Sequence, residues 1–469
     1  MVEMADTALS SSPKVSVHPQ HRHIVPSPVR VRQSPSKPLT PAKRVASQDL
    51  ELILDHNPKK RLFQEHLQKE PPKVHFQEVD LGGLHLRNEN NIARDPSREE
   101  YELLLTAFPG ATGIGGNMGF LTVVYDTLPP KPWPVALAGL PVHISTEHFA
   151  QPLPLKRPGG HKRIFGEIDA RGGASKVLFT DIINYFRDEL NVSIQAIANI
   201  AVRWEIRVPD DTILSNLPCM IAKTLATYIF EHEVDEPMEA ALRGKRPDGL
   251  IWDTTLYNDL RPGVMLSSGR VNGQGPELLT TSGIQVSDDK GNKFITVASH
   301  GFPGNLTSVY HPNADGDIIG YVRHKIPDSD IALVELLPSK SYQNETYTGY
   351  VAEGMIEGVT IKGIRKKYMS PGDNVSMENP FSGYHDGVYM GPQLKRIPAD
   401  EASVEHHWLE IAWLWLGNGI EPVNGSCASV ILDEDGNVVS FFRFLADKYP
   451  GCGLGVAAST LEEHGYYLV

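Results

Sequence analysis

Val-Ala-Ser-His-Gly at residues 297–301 decides the fold when it is taken with two later stretches, Ser-Asp-Ile-Ala-Leu at 329–333 and Gly-Ser-Cys-Ala-Ser-Val at 425–430. Each stretch places one chemically suited residue at the end of an apolar strand pattern. The three groups are an imidazole, a carboxylate and a thiol, which can serve as proton acceptor, orienting acid and nucleophile. Together these groups indicate a hydrolase that uses a nucleophile, for example on peptide bonds.

The sequence around these stretches has the pattern of antiparallel strands. From about Gly249 onward, short apolar runs are separated by Gly, Asn and Asp turns, which is typical of an all-β barrel or sandwich. One predicted hairpin runs over 284–297 and ends just before His300. A second runs over 430–442 and begins just after Cys427.

These motifs resemble those of the trypsin-like peptidase superfamily, and more closely those of the intracellular trypsin-like proteins of filamentous fungi. The first stretch is similar to the family's Ala-x-His segment, the second to Asp-Ile-Ala-Leu and the third to Gly-Asp-Ser-Gly. The resemblance covers about residues 249–469. It implies an all-β double β-barrel with the site in the cleft between the barrels, where His300 and Asp330 come from the first barrel and Cys427 from the second.

Each of these residues has a chemical reason for its role. His300 titrates near neutral pH and can take a proton from the nucleophile and return it to the leaving amine. Asp330 precedes a buried apolar run and needs a hydrogen-bonded partner there, which His300 would supply; Asp328, two residues earlier, competes for this role. Cys427 would attack as a thiolate. The backbone amides of Gly425 and Cys427 would form the oxyanion hole.

Two residues depart from the resembled family. Cys427 stands where the family has Ser, and Ala428 stands where it has Gly. Cysteine serves as the nucleophile on this fold in viral 3C-like peptidases, whereas a Cβ at position 428 is unfavourable if the backbone must adopt a glycine conformation. Two functions therefore remain open: an endopeptidase with a His-Asp-Cys triad, and a catalytically inactive pseudo-peptidase that binds peptides or regulates a partner.

The substrate pocket is predicted from the same resemblance. Its floor falls on Glu421, and Phe442 and Phe444 form a wall. A buried acid at the floor would favour Lys or Arg in the substrate. An exposed loop position for Glu421 is the alternative.

Composition narrows the class of protein. The chain has 469 residues, 41% hydrophobic and 22% charged, which is ordinary for a globular protein. Its net charge of −13 argues against nucleic-acid binding, and no apolar run is long enough to span a membrane. Three cysteines and the absence of a secretory signal indicate an intracellular location, cytoplasmic or nuclear. We predict no cofactor and no metal, and a protein or peptide as substrate.

The chain divides into three predicted segments. Residues 1–75 read as a disordered basic arm rich in Ser and Pro, and residues 249–469 form the peptidase-like domain. Between them, residues 76–248 read as an α+β domain of unknown role. In it we predict a strand at 120–125 and helices at 177–190, 194–204 and 214–230. The sequence makes no prediction about the oligomeric state.

Overall fold

A computed structural model describes much of the chain beyond residue 82, so the predicted arm lies outside it. The described residues are 83–88, 94–117, 120–129, 134, 136–146, 157–171, 173–200, 203–233, 242–243, 253–270, 277–327, 329–346, 349–351, 354–356, 358–365, 369, 373–398, 406–416, 422–423, 425–445 and 452–469. Within these residues the protein is mostly β-sheet with few helices.

The first described region is a small sheet with one helix. Helix α1 (Arg98–Ala107) begins with a capping box, in which Ser97 and Glu100 each bind the other's backbone amide. The strands pair in the order β1-β2-β4-β3, with bounds β1 (Gly113–Asn117), β2 (Phe120–Val124), β3 (Ala136–Leu137) and β4 (Leu140–Ser145). The strand predicted at 120–125 is confirmed.

The second region packs one long helix on strands. Helix α2 (Lys176–Leu190) starts at the N-cap Ser175 and ends at Asn191 in the left-handed conformation. This confirms the helix predicted at 177–190. The strands of the region are β5 (Arg157–Pro158), β6 (Arg163–Ile164), β7 (Ala196–Ile200), β8 (Arg203–Val208), β9 (Met220–Ile221) and β10 (Thr224–Phe230), and single 3₁₀ turns lie at Leu214–Asn216 and Glu231–Glu233.

The helices predicted at 194–204 and 214–230 are wrong. These residues form β7, β8 and β10, with β7 antiparallel to β8 and β8 parallel to β10. Strand β7 is buried on both faces, because Ile197 packs in the core beneath α2 while Ala198 and Ile200 pack in the core shared with the C-terminal region. Burial on both faces removes the polar alternation that marks a strand, so apolar spacing alone cannot separate strand from helix.

Between residues 242 and 468, most of the elements that the structure describes are strands. Those up to residue 342 are β11 (Leu242–Arg243), β12 (Asp259–Leu260), β13 (Met265–Arg270), β14 (Glu277–Thr281), β15 (Gln285–Ser287), β16 (Lys293–Ala298), β17 (Ser308–His311), β18 (Asp317–Lys325), β19 (Ile331–Leu336) and β20 (Ser341–Tyr342). A 3₁₀ turn, Ser299–Gly301, follows β16.

One short helix, α3 (Ser459–Glu463), lies among the remaining strands along the chain. They are β21 (Gly349–Val351), β22 (Gly354–Ile356), β23 (Gly363–Ile364), β24 (Asn374–Asn379), β25 (Gly383–Pro398), β26 (His406–Leu416), β27 (Val430–Asp433), β28 (Asn437–Leu445), β29 (Cys452–Ala457) and β30 (Tyr467–Leu468). The two hairpins predicted at 284–297 and 430–442 are confirmed as β15–β16 and β27–β28.

Two large sheets result. The first sheet has nine strands in the order β11-β14-β13-β17-β18-β19-β16-β15-β30. The second sheet has thirteen; six of them pair in succession as β24-β27-β28-β29-β26-β25, and β25 also pairs with β24. Strand β25 also pairs with β7 in antiparallel register, so the boundary predicted at 248/249 separates segments that share one sheet. Two closed barrels remain a prediction.

The two sheets meet in one apolar core. Ile331 and Leu333 of the first sheet pack in the same cluster as Val430 and Phe441 of the second. This packing brings the end of β16 and the loop before β27 to one junction. None of the helices in the described ranges has the length and apolar character needed to cross a membrane.

Candidate active site

His300 is positioned by the register of two antiparallel strands. Strand β16 pairs with β19 so that Ala298 lies opposite Ile331. The Ser299 amide continues this ladder by donating to the Asp330 carbonyl at 2.9 Å. The 3₁₀ turn at the end of β16 then places His300 beside the Asp330 carboxylate, although the two residues are thirty positions apart.

The carboxylate of Asp330 binds His300 at two points. His300 Nδ1 lies 2.7 Å from Asp330 Oδ2, and the His300 backbone amide donates to Oδ1 at 3.0 Å. Both side chains are nearly covered, with 11% of the imidazole and 9% of the carboxylate exposed. An ionised acid in this position keeps the proton on Nδ1 and leaves Nε2 free to exchange protons with a nucleophile.

A buried arginine completes the ion cluster. Arg443 Nε, from β28 of the second sheet, lies 2.8 Å from Asp330 Oδ2, the same oxygen that binds His300. The Arg443 side chain is 7% exposed. The acid of the first sheet is therefore paired with one cation from each sheet.

The loop that carries Cys427 is fastened to the first sheet. The Thr281 amide and the Thr280 hydroxyl both donate to the Cys427 carbonyl, at 3.0 and 2.9 Å. The Thr281 hydroxyl donates to the Gly425 carbonyl at 3.0 Å. These three hydrogen bonds hold the loop against the end of strand β14.

Three backbone amides of the loop that carries Cys427 donate hydrogen bonds within the protein. The amides of Ser426, Ala428 and Ser429 donate to carbonyl oxygens of the protein. They are therefore occupied and cannot bind a substrate oxygen. The oxyanion hole predicted at the amides of Gly425 and Cys427 stays a prediction.

The thiol of Cys427 is enclosed. Its residue is 0% exposed, and its side chain packs against Ala298, two positions before His300. The Sγ atom donates a long hydrogen bond of 3.5 Å to the carbonyl of Arg443. Arg443 thus contacts the thiol through its backbone and the acid through its side chain.

Charge at the site shifts two pKa values. Burial alone would lower the pKa of His300, but the negative charges of Asp330 and of the Cys427 sulfur outweigh burial and the opposing charge of Arg443, and raise the pKa to about 9. Burial would raise the pKa of Asp330, but His300 and Arg443 outweigh it and hold that pKa below its ordinary value. Asp330 is therefore ionised, and the imidazole holds a proton firmly.

Two backbone conformations in the loop are left-handed. Gly425 has φ +98°, and a Cβ there would lie 2.8 Å from the ring of Phe381. Ala428 has φ +70°, a region that residues with a Cβ adopt at a cost of about 1 kcal/mol. The strain expected from an alanine at position 428 is present.

The predicted pocket residues fall partly outside the described ranges. Glu421 and the competing acid Asp328 lie outside them, as does the side chain of Phe444. Phe442 is described. Its side chain packs in a buried cluster of the second sheet, and its backbone carbonyl accepts a hydrogen bond from the Ala428 amide in the loop that carries Cys427. The predicted pocket therefore stays a prediction.

Sequence reasoning missed Arg443. It stands in an otherwise apolar run, Phe441-Phe442-Arg443-Phe444-Leu445, inside a predicted strand. A charged residue within a buried strand requires an opposite charge nearby, and this signal could have marked Arg443 as a partner of the predicted acid. Thr280 and Thr281 give no such signal, because threonine is common in strands.

Comparison with known proteins gives distant structural similarities alone. No family model and no curated protein matches the chain. Among solved structures, Protease A of Thermobifida fusca is 15% identical with a TM-score of 0.32, over 45% of this chain and 98% of that one. A chymotrypsin of Cellulomonas bogoriensis is 14% identical over 45% and 98%, and a Nocardiopsis protease is 14% identical over the same shares, both with a TM-score of 0.32. At these values the likenesses carry no functional argument, and function must be argued from this chain's own residues.

Proposed function

We propose that this protein hydrolyses peptide bonds with Cys427 as nucleophile, His300 as general base and acid, and Asp330 as the acid that orients the imidazole. The observation that carries the proposal is the 2.7 Å contact between His300 Nδ1 and Asp330 Oδ2, with the Cys427 side chain packed two residues from His300. Nucleophile, base and orienting acid in this relation form the arrangement that activates a nucleophile in acyl transfer.

In the first half of the reaction, the thiol proton of Cys427 already lies on His300 Nε2, and the sulfur attacks the scissile carbonyl carbon as a thiolate. The carbonyl oxygen becomes an oxyanion, which the amides of Gly425 and Cys427 stabilise. When the carbonyl reforms, the C–N bond breaks, and the leaving amine takes the proton from His300. The product is a thioester on Cys427.

In the second half, a water molecule gives a proton to His300 Nε2 while its oxygen attacks the thioester carbonyl. The C–S bond then breaks, and the proton stays on the imidazole beside the released thiolate. Asp330 stays ionised throughout and stabilises the imidazolium present in each half. The two-barrel arrangement belongs to this proposal, and the six-strand succession of the second sheet supports it.

The substrate is a protein or peptide. A basic residue before the scissile bond stays a prediction based on Glu421, and digestion of a peptide mixture followed by mass spectrometry of the new termini tests it. Cleavage after Lys or Arg that is lost in Glu421→Gln would support an acidic pocket floor. Cleavage after other residues would remove that role.

A pseudo-peptidase is the second candidate, and two observations favour it. The Cys427 residue is 0% exposed, and Ala428 has φ +70°. A covered nucleophile on a strained loop suits a protein that binds peptides without cutting them, since a misplacement of about 1 Å can cost 10²-fold in rate.

Alkylation by iodoacetamide separates the two functions. We expect Cys427 of the native protein to react at least about 10-fold faster than in His300→Ala, because the imidazole takes up the thiol proton. The rate is followed by mass spectrometry of the Cys427 peptide. Cys219, a half-buried thiol whose Sγ donates to the Lys162 carbonyl, is the internal control and should react equally in both proteins.

Equal, slow alkylation of Cys427 in the native protein and in His300→Ala would overturn the peptidase proposal and favour the second candidate. Peptide binding without cleavage, measured by fluorescence anisotropy, would then define the pseudo-peptidase. Cleavage that persists in Cys427→Ala would overturn the nucleophile assignment.

A further inference from the structure

We propose that Arg443 is a positioning residue of this site, which holds Asp330 ionised and limits how strongly the imidazole binds its proton. The inference rests on the proposed function and adds a fourth residue to it. It stands on two contacts: Arg443 Nε lies 2.8 Å from Asp330 Oδ2, and the Arg443 carbonyl accepts the thiol of Cys427 at 3.5 Å.

The geometry gives Arg443 access to both ends of the site. Its side chain binds the oxygen that also binds His300 Nδ1, so the guanidinium and the imidazolium share one negative charge. Its backbone carbonyl accepts the hydrogen bond from the Cys427 sulfur. One residue of β28 therefore connects the acid of the first sheet with the nucleophile of the second.

This placement matters because His300 must work in both directions. It has to accept the thiol proton and then give that proton to the leaving amine. A buried carboxylate paired with the imidazole alone would hold the imidazolium too firmly for the second step. A guanidinium on the same carboxylate oxygen offsets part of its negative charge, so the imidazolium gives up its proton more readily.

The charged groups facing the imidazole come from three elements of the two sheets. They are Asp330 at the start of β19, Cys427 in the loop before β27, and Arg443 in β28. Lys325 of β18 also lies nearby, with its ammonium group bound to the Phe302 carbonyl at 2.8 Å, just after the turn that carries His300. Of these groups, Arg443 is the cation in direct contact with the acid.

The test is a titration of the His300 Cε1–H signal by NMR in the full chain. Replacing Arg443 by Met keeps similar bulk and removes the charge, and we expect the titration midpoint to rise by at least about one pH unit. Arg443→Lys keeps the charge and should leave the midpoint within a few tenths of a unit. A role limited to packing would instead shift neither variant.

A second pair of variants keeps the test decisive if Arg443→Met does not fold. In Asp330→Asn the guanidinium faces a neutral amide, and the His300 midpoint should fall below the ordinary value of ~6.5. Adding Arg443→Met to that variant should raise it again, and this double variant buries neither of the two charges. An unchanged midpoint on adding Arg443→Met would overturn the inference.

Arg365→Met is the matched control. Arg365 pairs with Asp433 in the second sheet, outside the cluster of charges around His300, so its loss should leave the His300 midpoint unchanged. The outcomes also separate this inference from the proposed function. Slow alkylation of native Cys427 would reject the peptidase, whereas the titration midpoints report on Arg443 whether or not the protein cuts peptides.

Discussion

The two hairpins that frame the site are built alike but carry different chemistry. Asp288 begins the turn of β15–β16 and Asp433 that of β27–β28, and each carboxylate accepts the backbone amides two and four residues later. The first hairpin leads into His300, which binds its acid at 2.7 Å. The second follows Cys427 and continues to Arg443.

The difference teaches that the two sheets contribute unlike groups to the site. The first sheet holds the histidine and aspartate in the relation expected of an acid–base pair. The second sheet contributes a thiol, a strained alanine at 428 and a buried arginine. If the two sides act together, a change on either side should alter the reactivity of Cys427.

The largest effect is expected at the acid. Asp330→Asn leaves the buried Arg443 without its negative partner, and breaking a buried ion pair costs about 3 kcal/mol. Urea unfolding of the native and variant proteins at pH 7 measures this. Cys427 alkylation should also slow by about 100-fold, because the imidazole loses the charge that holds its proton.

The stabilisation that Asp330 contributes should also depend on pH. The folded pKa of Asp330 lies below its unfolded value, so its stabilisation is present above about pH 4 and is lost as pH falls through the folded pKa. The stability difference between native protein and Asp330→Asn should therefore shrink below pH 4. A difference that stays constant from pH 7 to pH 3 would contradict an ionised, paired Asp330.

Gly425→Ala tests the nucleophile side of the comparison. The glycine has φ +98°, and an added Cβ would meet the Phe381 ring at 2.8 Å, so we expect a loss of about 2 kcal/mol and slower alkylation of Cys427. Thermal unfolding and the alkylation rate measure the two effects. Gly291→Ala, at φ +82° in the first hairpin with open space around it, is the control and should leave alkylation unchanged.

The Thr281 hydroxyl is one of the three groups that join the two sides, and it can be removed. Thr281→Val deletes the hydrogen bond to the Gly425 carbonyl, which should cost about 1 kcal/mol and slow alkylation several-fold as the loop loosens. Thr296→Val deletes a buried bond within the first sheet, from the Ile284 amide, and should lower stability alone. Equal alkylation rates in the two variants would show that the Thr281 bond does not position the thiol.

The smallest expected effect is a gain in stability. Ala428→Gly removes a Cβ from a left-handed backbone and should stabilise the protein by about 0.5–1 kcal/mol, less what glycine adds to the entropy of the unfolded chain. A faster alkylation of Cys427 in this variant would indicate that the alanine displaces the thiol. Lower stability would contradict strain at this position.

Prediction from sequence succeeded for the two hairpins, where the pattern was local. The two hairpins were recognisable because apolar residues flank turns that begin at Asp and end in Gly-Asn, and the stretches that carry His300 and Asp330 lie at strand ends that pair directly. It failed for β7, where Ile197 faces one core and Ala198 another, because burial on both faces erases the strand pattern. It also missed Arg443, since its ion pair joins residues more than a hundred positions apart.

The central claim is that the imidazole of the first sheet and the thiol of the second act on one proton. NMR titration of His300 in the native protein and in Cys427→Ala tests it most directly. We expect a midpoint of about 9 in the native protein and a clearly lower one in the variant, because the sulfur helps to hold the imidazolium. A midpoint that is the same in both proteins would contradict the claim.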